Sequence, residues 1–423
     1  MTAITESPDV VALLDKVSLT PMELNASKHV VCVTGSTGIV GSHIVRRLLR
    51  SGHTVHAPVR SLAESKVGFL KTMPGASDRL KLFKVTGLAD PGEYDASMAG
   101  CDTLMHVASA FFMTGSKEEL DELLYKPALQ GVENILASCN RTKTMKRVIM
   151  TGTCMTASAT GSNDPDRRVD EDDWETTASR DDFPYVHSKV LQGRRAEEIA
   201  AKQSQWEYVD LMIAGSFGPM CFTNATGTSA LFLKYARMGL FFPACPPMGF
   251  PMNDLRDVAY MHCLAMCQSS KKLRGGRYLP PMKFVTFYEF CDALRSHPDT
   301  SYTLLPWFEF PTTFFKSLFG KVAPSLGIDK ALPHRMWGKT LHYDTSKCEK
   351  DFDLEGQGYK RLGIKDSIVD MELTFQKYGV SNFSPSLDRY KIKQSYAPQP
   401  QPPLGLGKYT KSCIISLAFL IWG

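Results

Sequence analysis

A glycine-rich turn between an apolar strand and an amphipathic helix constrains the fold of this chain more than any other segment. Residues 29–34 form a short β-branched run that is typical of a buried parallel strand. Apolar residues then recur at helical intervals from Ile39 to Leu49. Between the two runs stand three glycines at three-residue spacing: Gly35, Gly38 and Gly41. The segment predicts a strand, a tight turn and a helix N-terminus in direct succession.

Such a turn is suited to hold an anion. Backbone N–H groups and the positive end of the helix dipole converge at a helix N-terminus. Gly35 permits the turn, Gly38 lets the backbone approach a phosphate, and Gly41 allows helix and strand to pack closely. An isolated glycine loop can simply turn the chain, but the flanking strand and helix favour a dinucleotide pyrophosphate site. The predicted contacts are Gly35, Ser36, Thr37, Gly38, Ile39, Val40 and Gly41.

A second motif, Tyr185-Val186-His187-Ser188-Lys189, can supply acid–base chemistry. Four residues apart on a helix, Tyr185 and Lys189 share a face. An ammonium ion lowers the pKa of a nearby phenol, which is about 10 when free, because positive charge favours the phenolate. A Tyr-x-x-x-Lys pair is common on ordinary helix surfaces. Its position after the glycine turn, in a chain of alternating strands and helices, predicts a proton donor beside a nicotinamide.

The alternation of strands and helices predicts the fold class. Apolar strands near residues 30, 55, 82, 104, 148 and 211 alternate with helices, and residues 276–279 form a plausible last strand. This order predicts an α/β fold with a doubly wound parallel (Rossmann) sheet and a smaller, discontinuous C-terminal substrate-binding domain. The predicted divisions are an N-terminal extension at 1–28, a dinucleotide-binding domain at 29–215 and 253–282, a substrate-binding domain at 216–252 and 283–378, and a Pro-rich tail with a short apolar end at 379–423.

The glycine spacing resembles the extended short-chain dehydrogenase/reductase superfamily, of the NAD-dependent epimerase/dehydratase type. Other segments are similar to its dihydroflavonol reductase and cinnamoyl-CoA reductase branch: 55–60, 101–102, 106–109, 126–131, 146–149, 256–259, 276–278 and 344–347. The resemblance runs from about residue 28 to about residue 379. It implies hydride transfer, with Lys189 binding the nicotinamide ribose. It also implies that Thr153 orients the substrate carbonyl where the family usually has serine, although a threonine there could merely cap the strand.

Charge at the end of the second strand predicts the cofactor. The strand ends at Arg60, where an NAD-preferring site would carry Asp or Glu for the ribose 2′-hydroxyl. A guanidinium instead attracts a 2′-phosphate, and in the resembling family Lys66 adds a second cation. Both charges could also be solvated surface groups, but together they favour NADPH (NADP). The remaining implied cofactor contacts are Leu88, Val107, Ala108, Ser109, Thr151 and Ser216, together with Tyr185 and Lys189.

Substrate identity is less constrained. The cinnamoyl-CoA reductase signature before the tyrosine is replaced here by residues 180–185, which disfavours that specific activity. The segments expected to line the pocket are rich in aromatic residues and methionine and suit an apolar ketone or aldehyde. They comprise residues 111–113, Ser158, Trp174, Phe183 and 217–250. Any one of these side chains alone is more often part of the core.

Composition excludes several function classes. The net charge is only +5 and no dense basic stripe is present, which argues against nucleic-acid binding. The eleven cysteines include no Cys-x-x-Cys pair, which favours reduced thiols in a cytoplasmic protein and no metal site. The apolar run at residues 413–422 is too short to cross a bilayer, so it predicts packing or at most weak membrane contact. A monomer or homodimer is expected.

The leading hypothesis is an NADPH-dependent oxidoreductase that reduces the carbonyl of a small, largely apolar substrate to an alcohol. Within the enzyme class, the alternatives are an NAD(P)-dependent sterol or hydroxysteroid dehydrogenase and a sugar-nucleotide epimerase. In a different class, the chain could be a non-catalytic dinucleotide-sensing regulatory protein. Such proteins usually lose the tyrosine and lysine, whereas this chain retains Tyr185 and Lys189.

Overall fold

Seven parallel strands form the central sheet of this protein, as the predicted fold class requires. The computed structural model describes residues 8–16, 27–110, 115–222, 227–268, 273, 275–300, 302, 304–310, 314–322, 329 and 331–378. All of these residues lie in one compact unit bounded by Met1–Ser381. The predicted tail at 379–423, including its apolar run, lies outside the described residues.

The strands and helices follow the predicted alternation. The strands are β1 (Val30–Thr34), β2 (Thr54–Val59), β3 (Leu80–Lys84), β4 (Thr103–His106), β5 (Arg147–Thr153), β6 (Arg168–Val169), β7 (Glu207–Ile213), β8 (Gly215–Phe217), β9 (Ala244–Cys245), β10 (Gly249–Asp254), β11 (Gly276–Tyr278), β12 (Lys283–Thr286), β13 (Phe308–Glu309) and β14 (His342–Tyr343). The helices are α1 (Pro8–Asp15), α2 (Ile39–Arg50), α3 (Glu64–Lys71), α4 (Ala76–Arg79), α5 (Asp95–Met98), α6 (Lys117–Leu120), α7 (Lys126–Arg141), α8 (Pro184–Ala201), α9 (Thr228–Arg237), α10 (Leu255–Cys267), α11 (Phe287–Arg295), α12 (Phe314–Val322), α13 (Leu332–Met336), α14 (Ser346–Asp351) and α15 (Ile364–Lys377). All seven predicted strands are confirmed.

The order of the central sheet is β3-β2-β1-β4-β5-β7-β11, with every pair parallel. The chain runs outward from β1 to β3, then returns to add β4 on the other side of β1. Ligands of doubly wound sheets bind at such a switch point, beyond the carboxyl ends of the strands. The β1–α2 glycine turn lies at that point.

Alternating side chains of the strands divide the core into two layers. On one face, Val31 and Val33 of β1 pack with α2 and α10. On the other face, Cys32 of β1 packs in a layer that includes α7 and Ala196 of α8. Because both faces of the inner strands β1, β4 and β5 are buried, these strands appear in the sequence as mainly apolar runs, whereas the edge strand β3 carries exposed lysines.

Smaller sheets are built from the segments outside the central sheet. Strands β12, β10 and β8 form a three-stranded sheet in that order, while β9 pairs with β13 and β6 pairs with β14. Beside the three-stranded sheet, the ring of Phe232 contacts four other phenylalanine rings at centroid distances of 4.8–5.2 Å. Within the single compact unit, the division into two domains stays a prediction.

The N-terminal helix α1 is packed into the main core. Val10 and Leu14 of α1 are buried in the same layer as α2 and α10. Arg256, which is itself buried, donates to the Leu13 carbonyl at 2.8 Å and to Asp370 Oδ2 at 2.7 Å. This part of the predicted N-terminal extension therefore contributes to the body of the protein.

We expect Leu14→Ala to lower the free energy of unfolding by about 2 kcal/mol or more, because it leaves a cavity in a packed core. Leu13→Ala is the matched control, since Leu13 lies on the same helix but is only half-buried. It should cost less than half as much. Urea unfolding of both variants measures the difference, and a loss in Leu14→Ala no larger than that in Leu13→Ala would show that the burial of Leu14 does not stabilise the core.

Candidate functional site

The glycine turn is a tightly packed junction between β1, α2 and the end of β4. Gly35 has φ +68°, and a Cβ there would lie 2.8 Å from the Ala108 amide nitrogen. A Cβ at Gly41 would overlap the Gly35 carbonyl oxygen. Gly38 is exposed at the N-cap of α2, and its N–H donates to the Gly35 oxygen at 2.9 Å. Two of the glycines are thus required by packing, and the third leaves an open surface at the helix N-terminus.

A single hydroxyl fastens β4 to this turn. Thr34 Oγ1 accepts from the backbone N–H groups of Val107 and Ala108, both at 3.1 Å. Its own hydrogen is therefore directed to His106 Nδ1 at 2.9 Å. Because these two amides are bound within the protein, Val107 and Ala108 would have to contact a nucleotide through other atoms.

The other predicted cofactor contacts surround the same edge of the sheet. Leu88 follows β3 and packs against Gly131, where a Cβ would lie 3.0 Å from the Leu88 Cβ. Asn134 Nδ2 holds this loop by donating to the Leu88 and Ala89 carbonyls at 3.3 and 2.6 Å. Sequence reasoning missed Asn134, although a polar residue on the inner side of α7 could have indicated it.

Three predicted hydroxyl contacts are engaged within the protein. Ser109 Oγ donates to the Ala110 carbonyl at 3.0 Å, and Ser216 Oγ donates to the Ala214 carbonyl at 3.1 Å. Thr151 Oγ1 lies 2.8 Å from His262 Nε2. Since His262 Nδ1 donates to a backbone carbonyl, Nε2 accepts the Thr151 hydrogen. The Thr151 hydroxyl therefore faces α10.

Arg60 and Lys66 lie on one exposed surface at the end of β2. Arg60 directly follows the last residue of β2, and Lys66 is in the first turn of α3. Both side chains are exposed. Arg60 also acts electrostatically on the buried Tyr94, whose phenol pKa it lowers against the larger effect of burial. Both cations therefore lie at the protein surface where β2 ends and α3 begins.

Helix α8 carries both residues of the acid–base motif. Tyr185 is half-exposed in the first turn, and Lys189 is buried one turn later. Phe183 precedes the helix with φ +68°, a strained conformation for a bulky residue, and its ring is fully buried. The Tyr125 hydroxyl donates to the Pro184 carbonyl at 3.2 Å. These contacts fix the direction in which α8 starts.

Lys189 is surrounded by polar groups in a dry environment. Its Nζ donates to Gln192 Oε1 at 2.7 Å. Burial lowers the pKa of Lys189 to about 8, and the negative charge of Asp210 opposes that shift. Burial and the nearby Lys189 charge lower the pKa of His106 to about 3, so this imidazole stays neutral and does not repel the ammonium ion.

Thr153 ends β5 at the same edge of the sheet. It is half-exposed, and its Oγ1 accepts from the Met155 N–H at 3.3 Å, which makes it the cap of a short 3-10 turn. A capping contact is therefore present, the same hydroxyl also interacts with the Cys154 sulfur, and the role of Thr153 toward a substrate stays a prediction. Partly buried Met155, Ala214 and Met282 pack beside this turn.

Residue 152, between the two threonines, has to be glycine. A Cβ at Gly152 would overlap the carboxylate oxygens of Asp210 on the neighbouring strand β7. Asp210 is buried, and its Oδ1 has no hydrogen-bond partner within the described part of the chain. Burial raises the pKa of Asp210 to about 6, and Arg277 opposes that shift. Sequence reasoning missed Asp210, although an aspartate inside an apolar strand was a visible signal.

Two aromatic residues that were expected to line a substrate pocket are core residues. Phe183 and Phe217 are 0% and 1% exposed. Trp174 lies between two guanidinium groups, those of Arg277 and Arg194, which are 3.7 and 4.4 Å from its ring centroid. Phe183 and Phe217 therefore belong to the core, because aromatic rings gain stability from burial, whereas the role of Trp174 in a pocket stays a prediction. Residues 111–113 lie outside the described residues.

Metal binding and membrane spanning have no candidate in the described part of the chain. No group of three or more His, Cys, Asp or Glu residues there could hold a metal ion. In the same part of the chain, no helix is both long and apolar enough to span a membrane. The ten described cysteines are free thiols, and nine of them are buried.

The residues at the glycine turn fit a dinucleotide. Gly38 leaves the helix N-terminus open, and the space at Gly35 is taken up by backbone. The Ser36 hydroxyl is buried and has no hydrogen-bond partner in the described ranges, so it can serve a ligand. This combination matches the needs of a pyrophosphate.

Sequence comparison relates the chain to plant reductases. A putative anthocyanidin reductase of Ginkgo biloba is 37% identical over 188 residues, which are 43% of this chain and about half (53%) of that relative. An anthocyanidin reductase ((2S)-flavan-3-ol-forming) of Vitis vinifera is 34% identical over 308 residues, covering 68% of this chain and 84% of that protein. A cinnamoyl-CoA reductase of Medicago truncatula is 34% identical over 275 residues, covering 63% of this chain and 80% of that protein.

Solved structures share the fold. Vestitone reductase from alfalfa (Medicago sativa) superposes with a TM-score of 0.60 at 24% identity, covering 83% of this chain and 99% of that one. A yeast methylglyoxal/isovaleraldehyde reductase complexed with NADPH superposes with a TM-score of 0.61 at 21% identity, covering 84% of this chain and 100% of that one. Residues 31–260 match the NAD dependent epimerase/dehydratase family. The chain therefore belongs to that family, in the extended short-chain dehydrogenase/reductase superfamily, and to its dihydroflavonol reductase-like branch of oxidoreductases.

Proposed function

We propose that this protein is an NADPH-dependent reductase that converts the carbonyl of a small, largely apolar ketone or aldehyde into an alcohol. The observation that carries the proposal is the arrangement of α8, in which a half-exposed Tyr185 precedes a buried, positively charged Lys189 by one helical turn. When bound, NADPH supplies the hydride for the carbonyl carbon. The chain itself supplies the proton and the orientation.

Tyr185 donates the proton to the carbonyl oxygen. Reduction of a carbonyl leaves negative charge on that oxygen, which needs a nearby acid. An unassisted phenol is a poor acid at neutral pH because its pKa is about 10. The charge of Lys189 lowers the free energy of the phenolate that remains after the transfer. The low dielectric around this buried ammonium ion strengthens the effect.

Thr153 orients the carbonyl before the transfer. Its oxygen accepts the Met155 N–H, and its hydrogen would turn from the weak Cys154 sulfur acceptor to the stronger substrate oxygen. Met155, Ala214 and Met282 make the immediate surroundings apolar. An apolar ketone or aldehyde suits this setting better than a polar sugar.

Cofactor preference is assigned to Arg60 and Lys66. Both cations are exposed at the end of β2 and the start of α3, where the adenosine ribose of a dinucleotide would lie in this fold. Guanidinium groups bind phosphate oxygens in bidentate geometry. A 2′-phosphate is therefore favoured over a free hydroxyl.

A panel of aromatic and aliphatic ketones and aldehydes, monitored by NADPH absorbance, tests the proposal. We expect consumption of NADPH with at least one apolar carbonyl compound. Tight NADPH binding without turnover of any compound would favour a dinucleotide-sensing protein instead.

Tyr185→Phe is expected to reduce kcat by roughly 100-fold or more, because the acid is removed while the ring is kept. NADPH binding, measured by fluorescence titration, should be nearly unchanged. Tyr302→Phe is the control, since it removes a hydroxyl that bonds Glu372 away from the site. Normal turnover in Tyr185→Phe would exclude Tyr185 as the proton donor.

Arg60→Asp should shift the kcat/KM preference from NADPH toward NADH, because a carboxylate repels the 2′-phosphate and accepts from the ribose hydroxyl. Lys71→Asp makes the same change of charge at the far end of α3 and should leave the ratio unaltered. Steady-state kinetics with both cofactors measure the ratio. The same discrimination in Arg60→Asp and in the native protein would mean that Arg60 does not bind the phosphate.

The rate of carbonyl reduction is expected to fall as the pH rises through about 8, the pKa to which burial lowers Lys189. Below that pH the amine is charged and favours phenolate formation, and above it the amine is neutral and the assistance is lost. A kcat profile from pH 6 to 10 measures this dependence. In Lys189→Arg, whose side chain stays charged over this range, any remaining activity should lack the alkaline decline.

A further inference from the structure

Beneath α8 lies a buried carboxylate that the proposed mechanism does not use. Asp210 stands in register with Met150 of β5 on one side and Arg277 of β11 on the other. The side chain of Asp210 lies on the α8 face of the sheet, because a Cβ at Gly152 would overlap its oxygens and Tyr208 packs in that layer. Helix α8 packs over β5 and β7 on this face.

We propose that Asp210 is a positioning residue for Lys189: its buried carboxylate keeps the Lys189 amine protonated in surroundings that would otherwise drive off the proton. The inference rests on the proposed role of Lys189 and names the group that sustains it. No redox or covalent step is involved. The interaction is electrostatic and acts through the packed interior between β7 and α8.

The negative charge of Asp210 acts on two cations, its strand neighbour Arg277 and Lys189 of α8. That guanidinium donates to the Asp173 carbonyl at 2.7 Å, to Thr156 Oγ1 at 3.0 Å and to Met212 Sδ at 3.2 Å. It is also stacked on Trp174. The hydrogen bonds of Arg277 thus go to other acceptors, and it acts on Asp210 through charge, as Lys189 does.

Lys189 in turn has no carboxylate as a direct hydrogen-bond partner within the described ranges. Its Nζ is satisfied by the neutral amide of Gln192, which provides an acceptor but no charge. His106, at the end of β4, is neutral. In a dry interior an ammonium ion loses its proton unless a negative charge compensates. Asp210 is the anion that opposes this loss.

The other charged groups around the pair set the size of the effect. Asp210 faces Arg277 from β11, Glu197 and Lys189 from α8, and Tyr208 from its own strand. Burial raises the pKa of Asp210 most and Glu197 raises it further, whereas Arg277, Lys189 and a hydrogen bond from the Gly152 backbone lower it. The net result, a pKa of about 6, leaves Asp210 ionised at neutral pH, where Lys189 is also charged.

The experiment is a direct titration of Lys189 by NMR, with lysine labelled with ¹³C at the ε-carbon and the signal assigned with Lys189→Met. In Asp210→Asn the midpoint should move to lower pH by roughly one unit. Asp210→Val should lower the Lys189 midpoint by a similar amount, and its apolar side chain needs no hydrogen-bond partner in the buried site. Asp370→Asn is the matched control, because it removes another buried carboxylate that bonds Arg256 and should leave the midpoint in place.

The native protein provides a test that does not depend on any variant folding. Its Lys189 signal should show a second, smaller inflection at about pH 6, where Asp210 takes up a proton. Absence of that inflection, or an unmoved Lys189 midpoint in a folded Asp210 variant, would overturn the proposal.

Kinetics separate this inference from the proposed function. If Lys189 titrates one unit lower in Asp210→Asn, kcat at pH 8 should fall about fivefold, with little change in KM for the carbonyl compound. A moved titration in a protein that reduces no carbonyl would leave the coupling intact and remove the reductase assignment. An active reductase in which the Lys189 midpoint does not move would keep the reductase assignment and exclude the coupling to Asp210.

Discussion

The contact between the β1–α2 turn and the end of β4 is the constraint on which the rest of the structure depends. Gly35 approaches the Ala108 backbone so closely that only glycine fits, and the Thr34 hydroxyl ties two amides of the same segment. These contacts join the two halves of the sheet at its switch point. Because β4 is adjacent to β5, which ends at Thr153, this junction also determines where the candidate carbonyl-binding residue lies relative to the glycine turn.

Helix α8 then places two chemically different environments one turn apart. Tyr185 remains half-exposed at the helix start, whereas Lys189 is buried over β5 and β7. The helix start is fixed by the buried, strained Phe183 and by the Tyr125 hydroxyl on Pro184. A shift of α8 along its axis would expose the amine or bury the phenol, so the packing of Phe183 bears directly on the acid–base pair.

Much of this fold is predictable from sequence because its determinants are local. Both faces of β1 are buried, which produces the apolar run, and the glycine spacing follows from backbone contacts within a few residues. Contacts between distant segments leave no such pattern. The Thr34–His106 pair spans 72 residues, and the Gly152–Asp210 contact joins two strands. The surroundings of Trp174 were not predictable for the same reason, since both of its guanidinium partners become neighbours only after folding.

The glycine at position 152 is explained by its contact with Asp210 on the neighbouring strand. A glycine between two threonines looks like the loss of a side chain when β5 is considered alone. In the folded protein the vacated volume is filled by a carboxylate from β7, so the exchange adds charge beneath α8. A lone buried carboxylate is costly for stability. Asp210 lies on the sheet face that α8 covers. Its negative charge there opposes the loss of the Lys189 proton that burial favours, so the carboxylate serves the proposed chemistry as well as costing stability.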